Sequence, residues 1–169
     1  MKKFIYAPHV DDEVIGCSQL LDEDTLVVYV CEHMPIEERQ TEARAAASRL
    51  GHTPTWLHPN SIGEAMSTIC RAYKKEPFIL LAPDPHWENH PDHRMLGSLI
   101  LRGAEQIGAR FGTYSTNMQA PYIRELPPIA SDAKHKLLNS CFPSQRSLWE
   151  TDHRYFLFEG VVEWNPPLG

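Results

Sequence analysis

Two long apolar runs constrain the fold of this chain most strongly. Residues 25–31 (TLVVYVC) and 77–83 (PFILLAP) contain almost no polar side chains, and the first is rich in β-branched residues. A strand that is covered on both faces has this composition, whereas a half-exposed strand alternates apolar and polar residues. Residues 3–7 (KFIYA) and 55–58 (TWLH) indicate further strands. The runs therefore predict a parallel sheet between two layers of helices.

Segments with helical spacing separate these strands. They cover residues 14–21, 35–50, 62–75, 92–107 and 131–141. Strands that alternate with helices form parallel sheets with helices on both faces. The chain has 169 residues, a length that suits one domain. We therefore expect a single α/β domain over residues 1–169, with a Rossmann-like, mostly parallel sheet.

Two residues predict where helices begin. Pro35 is expected to open a helix that ends before Gly51, because the first helical position tolerates a missing N–H. Ile36 would then lie on its apolar stripe. Ser131 is expected to cap the helix over residues 131–141. Residues 153–164 (HRYFLFEGVVEW) indicate a late strand or a bent pair of strands.

The composition argues against several classes of function. The formal net charge is −6, which does not favour a nucleic-acid backbone as a partner. No apolar segment is long enough for a membrane span or a signal peptide, so we expect a cytoplasmic protein without a membrane partner. The four cysteines are widely spaced and contain no CxxC pair, which argues against a cysteine zinc site. The sequence leaves open whether the chain forms a homo-oligomer.

Potential metal ligands cluster after two of the predicted strands. The loops are PHVDDE after residue 7 and DPHWENHPDH after residue 83. In open α/β sheets, ligands bind beyond the carboxyl ends of strands where the strand order reverses. His9 and Asp12 are three residues apart, as are His90 and His93, so each pair can face the same side. Two imidazoles and one carboxylate can hold Zn²⁺ with one coordination position open for water.

Each cluster also has a purely structural interpretation. Acidic residues such as Asp-Asp-Glu favour the start of a helix because of its dipole. HPDH fits a polar turn before a helix, with Pro91 as the first helical residue and Asn89 or His90 as the cap. The structural interpretation needs a separate reason for each of the two ligand-rich loops that follow strands. The metal-site hypothesis explains both loops with one reason.

Three segments resemble the PIG-L-type de-N-acetylases, also called the LmbE-like family. APHVDDEVIGC is similar to the family signature PHPDDE, and HPDH is similar to its second signature. ERQTEARAAASRLG resembles the helix between them. The resemblance covers residues 3–110 well and the rest loosely. The chain departs from the first signature at Val10, where the family has a proline, so this loop lacks one fixed φ angle.

The resemblance implies a Rossmann-like fold and a zinc-dependent hydrolase. Such an enzyme removes an acyl group, usually acetyl, from an amine on a sugar. The implied metal ligands are His9, Asp12 and His93. Oxygen and nitrogen donors also suit Fe²⁺, so the native ion is left open between Zn²⁺, Fe²⁺ and another divalent metal.

The resemblance also implies roles for four further residues. Asp11 would act as the general base, and His90 would stabilise the oxyanion or protonate the leaving amine. Asp92 would orient a histidine by contacting the ring nitrogen that does not face the metal. Arg39 would lie close to the pocket and contact the substrate, although pairing with Glu42 three residues later is an alternative.

Other residues near the two loops receive weaker interpretations. Glu13 is expected to be an acid at a helix start, favoured by the helix dipole. His33, His58, His86 and Trp87 are expected to be ordinary loop residues, with a position at the pocket rim as the alternative.

Three other functions remain as alternatives. A non-catalytic metal-binding or ligand-sensing module could use the same fold, but it would need no base such as Asp11. Non-haem Fe(II) oxygenases use two histidines and a carboxylate, but usually in jelly-roll barrels. A two-metal phosphoesterase would need a second full ligand set. The sequence therefore favours an amide hydrolase that acts on a small N-acylated substrate, such as an amino sugar.

Overall fold

A six-stranded sheet forms the centre of the protein in a computed structural model that describes residues 1–31, 33–73 and 76–164. The strands are β1 Lys2–Ala7, β2 Thr25–Val30, β3 Thr53–Leu57, β4 Phe78–Pro83, β5 Arg110–Tyr114, β6 Arg124–Glu125, β7 Phe158–Glu159 and β8 Val161–Trp164. The large sheet has the order β3-β2-β1-β4-β5-β8, and β6 pairs separately with β7. Pairings among β1 to β5 are parallel, whereas β8 runs antiparallel to β5. The predicted mostly parallel sheet is confirmed.

Helices cover both faces of this sheet. They are α1 Asp12–Cys17, α2 Glu37–Leu50, α3 Ile62–Ala72, α4 Pro91–Ile107, α5 Pro128–Cys141, α6 Arg146–Thr151 and α7 Arg154–Leu157. Ile5 and Val27 belong to the core that contains α1, α2 and α5, while their neighbours Phe4 and Val28 belong to the core that contains α3 and α4. Successive strand residues point to opposite faces, so an apolar run serves both cores. The predicted helices on both faces are confirmed.

The strand order reverses between β1 and β4. From β1 the chain continues to β2 on one side, while β4 lies on the other side of β1. Ile5 of β1 lies opposite Leu81 of β4, so the two strands end close together. The loops that follow Ala7 and Pro83 therefore meet at one edge of the sheet. This is the position where open α/β sheets bind ligands.

Two glycines allow helices to approach this edge closely. A side chain at Gly97 of α4 would collide with the carbonyl oxygen of Pro83, and one at Gly16 of α1 would collide with the ring of Tyr114. Only a residue without a Cβ atom fits at either position. The close approach brings the first turns of α1 and α4 to the carboxyl ends of β1 and β4.

Two helices begin at other residues than the sequence predicts. Helix α2 begins at Glu37, not at Pro35, and Ile36 is its exposed N-cap residue rather than part of the apolar stripe. Two acidic residues thus occupy the first turn, where the helix dipole favours negative charge. Helix α5 begins at Pro128, whose missing N–H suits the first position. The predicted cap Ser131 is therefore wrong, because it lies inside the helix.

The later part of the chain is only partly as expected. Residues 153–164 form α7 and the two short strands β7 and β8, so the bent pair of strands is preceded by one helical turn. The helix expected over residues 62–75 ends at Ala72, and residues 74 and 75 lie outside the described part of the chain. Among the described residues, no helix combines the length and hydropathy needed to cross a bilayer.

Candidate active site

The loop that follows β1 turns sharply into α1. Asp11 is the N-cap residue of this helix, with φ 107° and ψ −25°. Its carbonyl oxygen accepts hydrogen bonds from the amides of Val14 and Ile15, both at 2.9 Å. A left-handed backbone is unfavourable for residues other than glycine, although aspartate tolerates it better than most. The turn places Asp11 and Asp12 side by side, both buried, at the edge of the sheet.

Three donor atoms from the two loops form a small triangle. His9 Nδ1 lies 3.2 Å from His93 Nε2 and 3.3 Å from Asp12 Oδ2. His93 Nε2 lies 3.4 Å from the same Asp12 oxygen. Donor atoms at tetrahedral corners around Zn²⁺, about 2.0–2.1 Å from the ion, are separated by about 3.4 Å. The triangle of His9, Asp12 and His93 therefore has the spacing that one tetrahedral metal ion requires.

A buried carboxylate orients His93. His93 belongs to the first turn of α4, and its Nδ1 atom lies 3.0 Å from Oε2 of Glu88. Glu88 is 3% exposed and also accepts hydrogen bonds from the Ser115 hydroxyl at 2.7 Å and the Thr116 amide at 2.6 Å. A carboxylate behind a histidine keeps the proton on Nδ1. The lone pair on Nε2 then points into the donor triangle.

The sequence predicts no role for Glu88 and predicts instead that Asp92 orients a histidine. The Asp92 side chain is 55% exposed, and its Oδ2 atom lies 3.6 Å from His9 Nε2 and 3.8 Å from His90 Nδ1. These distances exceed those of hydrogen bonds. The sequence does contain one indication of the role of Glu88. This residue lies in the same ligand-rich loop as His93, and Ser115 and Thr116 follow the next strand.

His90 caps α4 and also borders the donor triangle. Its Nδ1 atom accepts the amide hydrogen of Asp92 at 3.3 Å, so neutral His90 carries its proton on Nε2. Its ring centroid lies 5.0 Å from that of His9 and 5.3 Å from that of His93. One ring nitrogen from each of the three histidines lies within 4.8 Å of the others, which offers a wider, all-histidine set. Pro91 is the first helical residue, so the structural interpretation of HPDH describes the same loop correctly.

Arg39 joins the loop after β1 to two other elements. It donates to the Val10 carbonyl, to Oδ2 of Asp11 at 3.2 Å, to Glu42, and to the Ser144 hydroxyl at 3.1 Å. The expected alternative, pairing with Glu42, is therefore present in the structure. Both terminal nitrogens of the guanidinium contact protein groups, while the side chain also borders the cavity.

Glu13 lies beneath this loop and is completely buried. Its Oε2 atom accepts the amide hydrogen of Asp11 at 3.1 Å, and its Oε1 atom accepts the hydroxyl of Tyr29 at 2.7 Å. Burial raises the pKa of Glu13 to about 7, against the opposing effect of the Tyr29 hydrogen bond. The residue lies in the first turn of α1 as expected, but it is inside the protein and not at the surface.

Burial and charge change the pKa values of the central groups. Burial, together with the charge of Asp12, raises the pKa of Asp11 well above its usual range, and Arg39 opposes this rise. The Asp12 carboxylate, which accepts a hydrogen bond from the protonated His9 ring, raises the pKa of His9. Burial acts to lower the pKa of His93, but the carboxylates of Asp12 and Glu88 outweigh it and raise the pKa. The site is thus an acidic pocket in which imidazoles and carboxylates face one another.

A cavity of about 730 Å³ opens above these residues. Its floor contains the donor triangle and Asp11, and its walls come from the segment after β2, the segment after β5, and α6 and α7. This volume lies within the range of small-molecule sites. His33 borders the cavity, whereas the described side chains of His58, His86 and Trp87 do not.

Comparison with known proteins relates the whole chain to one solved structure. No protein-family model matches the sequence, and no curated protein sequence matches it. The structure is similar to N,N'-diacetylchitobiose deacetylase from Pyrococcus horikoshii, solved with its inhibitor MPG. The TM-score is 0.67 at 20% sequence identity, and the similarity covers 97% of this chain and 84% of that chain. The mostly parallel six-stranded sheet with helices on both faces is thus the fold that this chain shares with a deacetylase.

Proposed function

We propose that this protein is a metal-dependent amide hydrolase that removes an N-acyl group, usually acetyl, from an amino sugar or a related small molecule. The observation that carries the proposal is the triangle of donor atoms from His9, Asp12 and His93, next to the buried carboxylate of Asp11. The shared fold with a deacetylase and the resemblance of the two loop signatures support the same reaction class.

In this proposal, His9, Asp12 and His93 hold the metal ion, with Zn²⁺ as the first choice. A bound zinc ion lowers the pKa of a coordinated water and polarises the carbonyl group of an amide. The donor spacing of 3.2 to 3.4 Å supports this set. Fe²⁺ accepts the same donors, so the identity of the ion is a matter for measurement.

We assign His90 as a hydrogen-bond donor rather than a ligand. A neutral histidine binds metal through an unprotonated nitrogen. Nδ1 of His90 is occupied by the amide of Asp92, so the proton resides on Nε2. This N–H can donate to the oxygen that becomes negative when the carbonyl is attacked. One such donor contributes about 3 kcal/mol to transition-state stabilisation.

We assign Asp11 as the general base. It is not part of the donor triangle, yet it borders the same cavity. The reaction forms a bond between the water oxygen and the carbonyl carbon and breaks the carbon–nitrogen bond. Asp11 takes one proton from the water and this proton then passes to the departing amine, so Asp11 is restored and the products are an amine and a carboxylic acid. A raised pKa suits a base that works near neutral pH.

The cavity size supports a substrate of one or two sugar rings. N-acetylglucosamine and N,N'-diacetylchitobiose carry the acetylated amine that the reaction requires. Arg39 lies at the wall of the cavity, so we propose that it borders the bound substrate while it holds the Asp11 loop. The polar segment after β5, which includes Asn117 and Gln119, offers further hydrogen-bonding groups.

The test combines metal analysis with a substrate screen. Purified protein is analysed for bound zinc and iron, and N-acetylated sugars and other acylated amines are screened for release of a free amine. The expected result is one metal ion per chain and amine release that a chelator abolishes. Bound metal without amine release from any substrate would instead support a ligand-sensing module. Absence of bound metal after incubation with Zn²⁺ would contradict the proposal.

A further inference from the structure

Glu13 is an unusual acid for the start of a helix. An acid that only responds to the helix dipole can remain in water, whereas Glu13 is 0% exposed. A buried carboxylate is unfavourable unless hydrogen bonds satisfy its oxygens. Both oxygens of Glu13 have such partners, and they lie on two different elements. Oε2 contacts the backbone of Asp11, and Oε1 contacts Tyr29 of β2.

The peptide unit between Val10 and Asp11 is held at both of its polar atoms. Arg39 donates to the carbonyl oxygen of Val10, and Glu13 accepts the amide hydrogen of Asp11 at 3.1 Å. Tyr29 in turn holds the Glu13 carboxylate at 2.7 Å. We call this arrangement the peptide clamp, formed by Arg39, Glu13 and Tyr29.

The clamp contacts the residue whose backbone conformation is the least favourable. Among the described residues, Asp11 is the one non-glycine residue with a positive φ angle. Such a conformation is maintained only when the surrounding structure holds it in place. The orientation of the Val10–Asp11 peptide also sets the direction of the Asp11 side chain. A relaxed peptide would move the carboxylate away from its place beside the donor triangle.

We infer that Glu13 is a positioning residue for the reaction, because it fixes the Val10–Asp11 peptide and thereby the direction of the Asp11 carboxylate. This inference rests on the proposed function, in which Asp11 is the general base. It makes Glu13 more than a helix-start acid. Misplacing a catalytic group by about 1 Å can cost about 100-fold in rate.

Glu159 provides a matched control. It is also a buried glutamate, and it accepts the amide hydrogen of Ser18 at 2.9 Å and pairs with Lys134 at 3.2 Å. It does not border the cavity. Its replacement by leucine therefore reports the loss of a buried carboxylate that has no contact with Asp11.

Nuclear magnetic resonance tests the clamp without any activity measurement. In the ¹⁵N-labelled full chain, with and without Zn²⁺, the Asp11 amide proton should resonate downfield and exchange slowly with solvent. Both properties should persist in Glu13→Gln, which keeps an acceptor oxygen, and disappear in Glu13→Leu. An Asp11 amide that exchanges as fast as an open loop in the unmodified protein would overturn the inference, even if the leucine variant fails to fold.

Kinetics then test whether Glu13 acts through Asp11. Glu13→Leu should lower kcat about 100-fold with little change in KM or zinc content, and Glu13→Gln should restore most of the rate. In the Asp11→Asn background, adding Glu13→Leu should cause no further loss. Glu159→Leu should lower thermal stability but not kcat per zinc-loaded molecule.

The outcomes separate this inference from the proposed function. An equal loss of kcat in both backgrounds would show that Glu13 does not act through Asp11, and would overturn the positioning role. If the unmodified protein hydrolyses no acylated amine, the proposed function fails. The amide resonance of Asp11 still decides whether the clamp exists.

Discussion

The two loops that build the site reach the same edge of the sheet by different means. The loop after β1 is buried at Val10 and Asp11 and strained at Asp11, and residues from α1, α2 and β2 hold it. The loop after β4 presents His90 and Asp92 to solvent at the start of a long helix. Its buried part is anchored through Glu88 to the segment after β5.

This difference divides the proposed chemistry between a fixed part and an accessible part. The proposed base Asp11 and the proposed ligand Asp12 belong to the buried loop, where small movements are resisted. The proposed donor His90 belongs to the exposed loop, where a substrate can meet it. His93 follows the exposed loop in the sequence, but its side chain is buried and contacts Glu88 and Asp12. Substitutions in the two loops should therefore have different effects on metal binding and turnover.

The largest effect is expected for His93→Ala. Two donor atoms would remain in the triangle, and a catalytic zinc site normally has three protein ligands. Stoichiometric zinc binding should be lost, and amine release should fall towards the uncatalysed rate. Metal content and turnover are the measurements. His52→Leu is the control, because His52 is also buried but neither ring nitrogen has a hydrogen-bond partner. Full zinc occupancy in His93→Ala would show that the ligand set is wrong.

Asp11→Asn should separate binding from chemistry in the buried loop. The amide cannot accept the proton, so turnover should fall by about 10²- to 10⁴-fold. The zinc content should remain one per chain, because Asp11 is outside the donor triangle. Normal turnover in this variant would remove Asp11 from the role of base, whereas lost zinc would make it a ligand.

His90→Ala tests the exposed loop. Loss of an oxyanion donor typically lowers kcat by about 10²- to 10³-fold, with the metal retained. Alanine also removes the cap of α4, which costs about 1 kcal/mol of stability. His90→Ser is the matched control, because serine caps helices well but is shorter and carries no N–H. Recovery of kcat in the serine variant would mean that His90 matters only as a cap.

Glu88→Gln should have a smaller effect that appears first in metal affinity. Replacing the partner of a ligating histidine typically costs about 10- to 100-fold in metal affinity or activity. Titration of the metal-free protein with Zn²⁺ measures this change. Asp84→Asn is the control, because Asp84 is the other buried acid of the loop and accepts the His86 amide at 2.8 Å without contacting a ligand. Equal losses of affinity in both variants would indicate a general effect on the loop.

The smallest effect is expected for Asp92→Asn. The Asp92 carboxylate is exposed and lies 3.6 Å from His9, and exposed ion pairs contribute about 0–1 kcal/mol. Turnover should therefore change by less than about fivefold, because 1.4 kcal/mol corresponds to a factor of ten. A loss comparable to that of Glu88→Gln would restore Asp92 as the main orienting partner of a histidine.

The sequence alone was sufficient for the fold class and for the place where the two ligand-rich loops meet. Uninterrupted apolar runs indicate strands that are buried on both faces, and this property is local to each segment. The rule for ligand sites in open sheets then selects the loops after residues 7 and 83. Those loops do meet, and they bring His9, Asp12 and His93 together. Their roles as metal ligands remain a proposal.

Contacts between distant segments decided the rest. Glu88, rather than Asp92, orients His93, because the hydroxyl and amide groups after β5 fold back onto it. Glu13 and Arg39 hold the Asp11 peptide from opposite sides. Glu13 is only two residues from Asp11, but its burial against Tyr29 of β2 and the reach of Arg39 from α2 do not follow from local spacing. A pattern of residues shows which face of an element is apolar, but hydrogen bonds between elements depend on how those elements pack. The sequence therefore determined which residues come to the site, and the tertiary structure determined how each one is held there.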